Sequence, residues 1–401
     1  MKISNILSAL FAIVVFVGCD KGIDLPANDV EIPVPLDPSK HYIHFDAGIS
    51  TRGALVEGNV LRDDFMVLGY QYPGLWESEK VLATPNVFDA VPQLVEYENS
   101  VFTYGTPKVW TGNKYSFFGY YPSNSNSITL FDNNTVKTGD PYIVYKLPIS
   151  SQPTDLIDVM TASYINTGVA SSASVAMQFH HRLAAVDIGA RNYYEYNHDQ
   201  NTETPDKQVT IEISSLELDL TNIVNEKAKI YLDYTIPTEV VKSTTGDLSL
   251  RYVMVGDAPW APDSFDVIPN TASDRAIRLV TTQTGENASS IMLIPQTELL
   301  NGTVSLTYKK KFIDDDGKVK YQRINVGENE EIFYTWTELP ADENAHPYYE
   351  FKPTLPINFS KELIEGRRYY IELTFTSDAV SVNIIAADEW NSLPDVEYEF
   401  E

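Results

Sequence analysis

The strongest constraint on this chain's fold is its succession of short alternating runs with no amphipathic helical stretch between them. In HYIHFDAGI, Ile43, Phe45, Ala47 and Ile49 fall on one face and Tyr42, His44 and Asp46 on the other. That period of two is the signature of a half-buried strand. Comparable signals recur in DFMVLGYQY, KYSFFGYY, YIVYKL, SVAMQFHHRLAAVDIGA, VTIEISSLELDL, TVSLTYKKKFI and RYYIELTFT. The abundance of Tyr (25) and Phe (17) suits a pleated surface. Asp314 to Gly317, DDDG, joins two alternating runs and reads as a hairpin loop. One helical candidate lies near Asp155 to Tyr164. The pattern predicts an all-β protein built of sandwiches. A length of 401 residues predicts two domains. The polar stretch Asn192 to Gln208 is the expected boundary, between an N-terminal sandwich over 41–200 and a C-terminal one over 201–401.

The N-terminus carries an export signal. Lys2 precedes an apolar run from Ile6 to Val17, about half the ~20 residues that a membrane span needs. Residues 1–18 therefore read as a signal peptide. The run ends in FVGC, Phe16 to Cys19, where a small residue before a cysteine matches lipoprotein cleavage. Lipidation of Cys19 with two or more acyl chains gives stable anchoring to a membrane. The alternative is a plain signal peptide with an incidental cysteine. Residues 19–40, rich in Pro and Asp, read as a tether. Cys19 is the only cysteine, so neither an intrachain disulfide nor a cysteine metal site can form.

A net charge of −27 argues against nucleic-acid binding. No catalytic constellation emerges, and no cofactor or metal is expected. His180 and His181 are adjacent on a predicted strand and face opposite ways, as do His41 and His44. His198 and His346 fall in loops. The densest acidic clusters are Asp63–Asp64, Asp314–Asp315–Asp316 and Glu328–Glu330–Glu331; the DDDG segment lacks the spacing of a calcium loop and reads as solvated turn charge. Trp76, Trp110, Trp260, Trp336 and Trp390 are dispersed, and a place in the core is their default.

Several segments together resemble the fimbrillin family, the lipoprotein pilins of Bacteroidales type V pili. Ile49 to Arg52 is followed by FMVLGYQY, then by Trp110 and the SFFGYYP strand to Pro122. DLIDVMTA followed by VAMQFHHRLAAVDI is similar to a basic-rich F-x-H-x-L-A-x-V strand of that family. IMLIPQ and the ending GRRYYIELTF with ADEW complete the set. The resemblance implies two transthyretin-like β-sandwich domains and a lipidated precursor carried to the outer membrane. It also implies cleavage by a trypsin-like protease after an Arg or Lys near the first strand, then polymerisation with other pilin subunits by strand exchange.

The residues accommodate that scheme. Arg52 follows the first strand and precedes Gly53, which gives a protease easy backbone access; Lys40 and Arg62 fit less well. In the tail, Val396, Tyr398 and Phe400 alternate with Glu397, Glu399 and Glu401. That segment is either a donor strand or the last strand of its own domain. The expected function is a non-enzymatic structural subunit of a cell-surface fimbria serving adhesion. The alternatives are an uncleaved anchor or tip subunit, or a surface glycan-binding lipoprotein with its tryptophans on one exposed face.

Overall fold

A computed structural model describes residues 40–50, 61–133, 138–148, 157–165, 174–192, 209–244, 246–257, 263–267, 277–278, 291–376 and 379–387. The chain is all-β, and residues 41–401 form one compact unit. Among the described residues the strands make four sheets.

The first sheet runs, edge to edge, through Phe45–Ser50, Val175–His181, Met160–Ile165, Lys114–Tyr121, Phe65–Tyr72, Gln93–Glu98 and Val101–Thr103. Its two central strands are buried on both faces. Phe65, Val67, Tyr115 and Phe117 enter a cluster built from residues 43–179, while Leu68, Tyr70, Phe118 and Tyr120 enter a second, larger one. Two covered faces explain why FMVLGYQY and KYSFFGYY read as nearly continuous apolar runs.

The longest strands, Thr210–Ile223 and Asn301–Ile313, pair antiparallel. The register shifts between Ile213 and Ser215, so a bulge inserts one extra residue there. It keeps Ile211 and Ile213 on the same buried face as Leu216, Leu218 and Leu220. Gly302 lies so close to this strand that a Cβ on it would sit 2.1 Å from Asp219 O. The DDDG loop closes the expected hairpin between Asn301–Ile313 and Val319–Val326, with Gly317 at φ +76°.

Two expectations need correction. The helical candidate Asp155 to Tyr164 overlaps the strand Met160–Ile165, which pairs with Lys114–Tyr121. Burial of Met160, Thr161 and Ala162 in that sheet outweighs local propensity. The run SVAMQFHHRLAAVDIGA is two strands in different sheets, broken at Arg182 and Leu183. Val175–His181 stays in the first sheet, whereas Ala184–Asn192 pairs parallel with Arg368–Phe375 in a five-stranded sheet. That sheet therefore joins residues from both sides of the segment 193–208, which itself lies outside the described residues.

Candidate assembly site

The first strand has the alternation expected of it. Ile43, Phe45 and Ala47 are buried, and His44 and Asp46 are exposed. Among the described residues Phe45–Ser50 is an edge strand, laddered on one side to Val175–His181, and it is the sheet's parallel member. The segment ahead of it is clipped to the opposite side: Ile43 N–H donates to Lys108 O (2.8 Å), Trp110 N–H donates to His41 O (2.9 Å), and Tyr104 Oη donates to Ile43 O (2.9 Å). The Phe45 ring sits among Phe65, Phe88, Tyr104 and Phe117 at centroid distances of 5.4–6.2 Å. Val175, Met177 and Phe179, beside the strand in the ladder, have no exposed surface. Removing the strand would uncover an apolar trough and a row of unpaired backbone groups.

The break between sheets is pinned by Arg182, a fully buried guanidinium. Its Nη1 donates to Thr161 Oγ1 (3.0 Å) and Tyr231 O (2.8 Å), and its Nη2 donates to Ile236 O (3.0 Å) and Thr238 Oγ1 (3.1 Å). Its Nε pairs with Glu365, which also accepts from Thr238 Oγ1 (2.7 Å). The basic-rich motif in the sequence includes Arg182 but does not announce this role. The available signal is a lone cation between two apolar strands.

His180 and His181 face opposite ways. His181 Nδ1 lies 2.7 Å from Asp158 Oδ2, and His180 stacks on Tyr234 at 3.7 Å between ring centroids. Burial, then the charges of Arg182 and His181, push the His180 imidazole down to about 4 from 6.5. It is therefore neutral in the fold, while the unfolded chain takes up a proton near 6.5. The stability this neutrality carries is intact above pH 6.5 and is lost as pH falls towards 4. In urea titrations at pH 7 and pH 4.5, His180→Phe should lose less stability at the lower pH than the parent does. An equal acid loss in both proteins would show that His180 does not titrate this way.

The remaining candidates do not converge on a second site. Trp76 is buried against Tyr70, Tyr72 and Phe118. Trp110 packs edge-on to Tyr115 and Phe117, and Trp336 edge-on to Phe312. Among the described residues no group of His, Cys, Asp or Glu could hold a metal ion. No described helix is long and apolar enough to cross a membrane. Cys19, Arg52, Gly53, Val396, Tyr398, Phe400, Trp260 and Trp390 lie outside the described residues.

No curated protein matches the chain. A fimbrial protein from Bacteroides vulgatus shares its fold with a TM-score of 0.55 at 16% identity, covering 87% of this chain and 99% of that one. A structure described as a cell adhesion protein from Bacteroides uniformis gives 0.39 at 15% identity, covering 88% and 100%. Another so described, from Bacteroides ovatus, gives 0.39 at 14% identity, covering 90% and 99%. The family model described as fimbrillin-like matches residues 75–388, a range that includes the Arg182 junction, and the chain belongs to that fimbrillin-like family.

Proposed function

We propose that this chain is the structural subunit of a cell-surface pilus, exported as a lipoprotein and polymerised by strand exchange for adhesion. The observation that carries the reading is the first strand, an edge element whose side chains nonetheless fill the core. In this scheme Cys19 holds the lipid that anchors the precursor to the outer membrane. A trypsin-like protease cuts between Arg52 and Gly53, releasing lipid, tether and first strand together. The tail of another subunit then adds as a strand, with Val396, Tyr398 and Phe400 in the trough and the intervening glutamates in water. Strand addition repairs the ladder and covers the apolar surface in one step. Two transthyretin-like sandwiches are the proposed layout, divided near 192–208, with Ala184–Asn192 seated in the C-terminal one.

Arg52→Ala tests the maturation step. The variant should accumulate on membranes as a lipidated monomer, read by fatty-acid labelling and by the loss of detergent-resistant oligomers. Recovery of polymer whose chains begin at Gly53 would sink the assignment.

A further inference from the structure

A second free edge lies far along the chain. The strands Val319–Val326 and Ile332–Thr337 form a hairpin, and Ile332–Thr337 ends its sheet, pairing with Val319–Val326 alone among the described residues. At the turn, Glu330 N–H donates to Gly327 O (3.1 Å) and Gly327 N–H donates to Glu331 O (2.8 Å), with Glu330 at φ +65°. Hydrogen-bonded and non-bonded pairs alternate along an antiparallel ladder. With Gly327 and Glu331 a bonded pair, the backbone N–H and C=O of Ile332, Tyr334 and Trp336 point away from the hairpin.

The side chains here are apolar and uncovered. Ile332 is 62% exposed, Phe333 47%, Tyr334 52%, and Val326, opposite Ile332, 68%. The run IFYTWT contains no charge, proline or glycine. Those are the devices by which a free edge avoids pairing with other chains, and their absence marks a strand suited to being paired.

Charge selects among the occupants. A second copy docked on this strand would bring together two chains that each carry a net charge of −27. The chain's own tail would bring Glu397, Glu399 and Glu401 to a turn that already holds Glu328, Glu330 and Glu331. We infer that Ile332–Thr337 is a docking edge for an extended segment of a different protein, apolar along its length and flanked by Lys or Arg, which adds as a strand beside it. This edge belongs to a different sheet from the first strand, so the inference does not depend on strand exchange.

The probe is the synthetic peptide KKVTVYVTKK, with EEVTVYVTEE as its counterpart. At millimolar concentration the lysine peptide should slow amide exchange at Ile332, Tyr334 and Trp336 at least tenfold. The glutamate peptide should bind at least tenfold more weakly. Tyr334→Pro removes an outward N–H without taking a donor from the ladder to Val319–Val326, and it should weaken binding of the lysine peptide at least tenfold. Phe333→Lys, which leaves the backbone intact, should weaken it as well. Equal binding of the two peptides, binding unchanged by both variants, or no protection at millimolar peptide would each overturn the inference. Self-association of the parent protein that disappears in Tyr334→Pro would also overturn it and assign the edge to a second copy.

Discussion

Replacing Arg182 with methionine is expected to destabilise the folded chain by about 3–5 kcal/mol, the usual cost of stripping one partner from a buried ion pair. The aliphatic part of the side chain is conserved in shape, so the loss comes from the groups left behind. Thr161 Oγ1 and the carbonyls of Tyr231 and Ile236 each lose a donor, and Glu365 loses its cation. Those groups belong to the strand Met160–Ile165, the 231–238 loop and the 362–366 loop, so one side chain ties together three separate segments. Arg182→Lys should recover little, because one ammonium cannot reproduce a planar fork that donates in several directions. Glu365→Gln should cost less than Arg182→Met, since the Glu365 side chain keeps 26% of its surface in water and the neutral amide still accepts. Urea unfolding of the three variants orders them. A cost below about 1 kcal/mol for Arg182→Met would mean that the network is compensated elsewhere.

Much of the fold is legible in the sequence where one face of a strand is buried. Ile43, Phe45 and Ala47 alternate in the sequence because they alternate between core and water. The bulge at Ser214 and Ser215 is written as a slip in phase, from isoleucines at odd positions to leucines at even ones. Periodicity fails where neighbours far along the chain decide. Met160–Ile165 becomes a strand because Lys114–Tyr121 and Val175–His181 flank it, and nothing local announces them. The break at Arg182 is marked locally by that one cation alone, because apolar positions resume directly after it. Ile332–Thr337 reads weakly because both its faces meet solvent and no alternation is imposed. The candidate assembly site was legible in part: the first strand's alternation is explicit, whereas its parallel pairing with Val175–His181 joins segments about 130 residues apart, a separation no local signal encodes.

A chain that begins at Gly53 is expected to lose much of its stability and to recover it only when an extended segment fills the trough. Ile43 and Phe45 are 1% and 3% exposed, and removing each forfeits roughly 1.5–3 kcal/mol of burial. The cavity left among Phe65, Phe88, Tyr104 and Phe117 adds to that loss. With the backbone ladder to Val175–His181 also gone, the deficit reaches about 5 kcal/mol, comparable to the whole net stability of many domains. The truncated chain should therefore melt well below the parent. Adding a peptide spanning His41 to Ser50 should restore the melting temperature, by about 2.7 kcal/mol at a concentration one hundred times its Kd. If the tail is the donor, a peptide of residues 393–401 should do the same. Substituting Ser for Val396, Tyr398 and Phe400 in that peptide should abolish the effect, because the ladder alone leaves the trough uncovered. A truncated chain as stable as the parent would remove the physical basis of strand exchange here. Rescue by the His41 to Ser50 peptide but not by the tail would keep the trough as the assembly site and assign the donor to another segment.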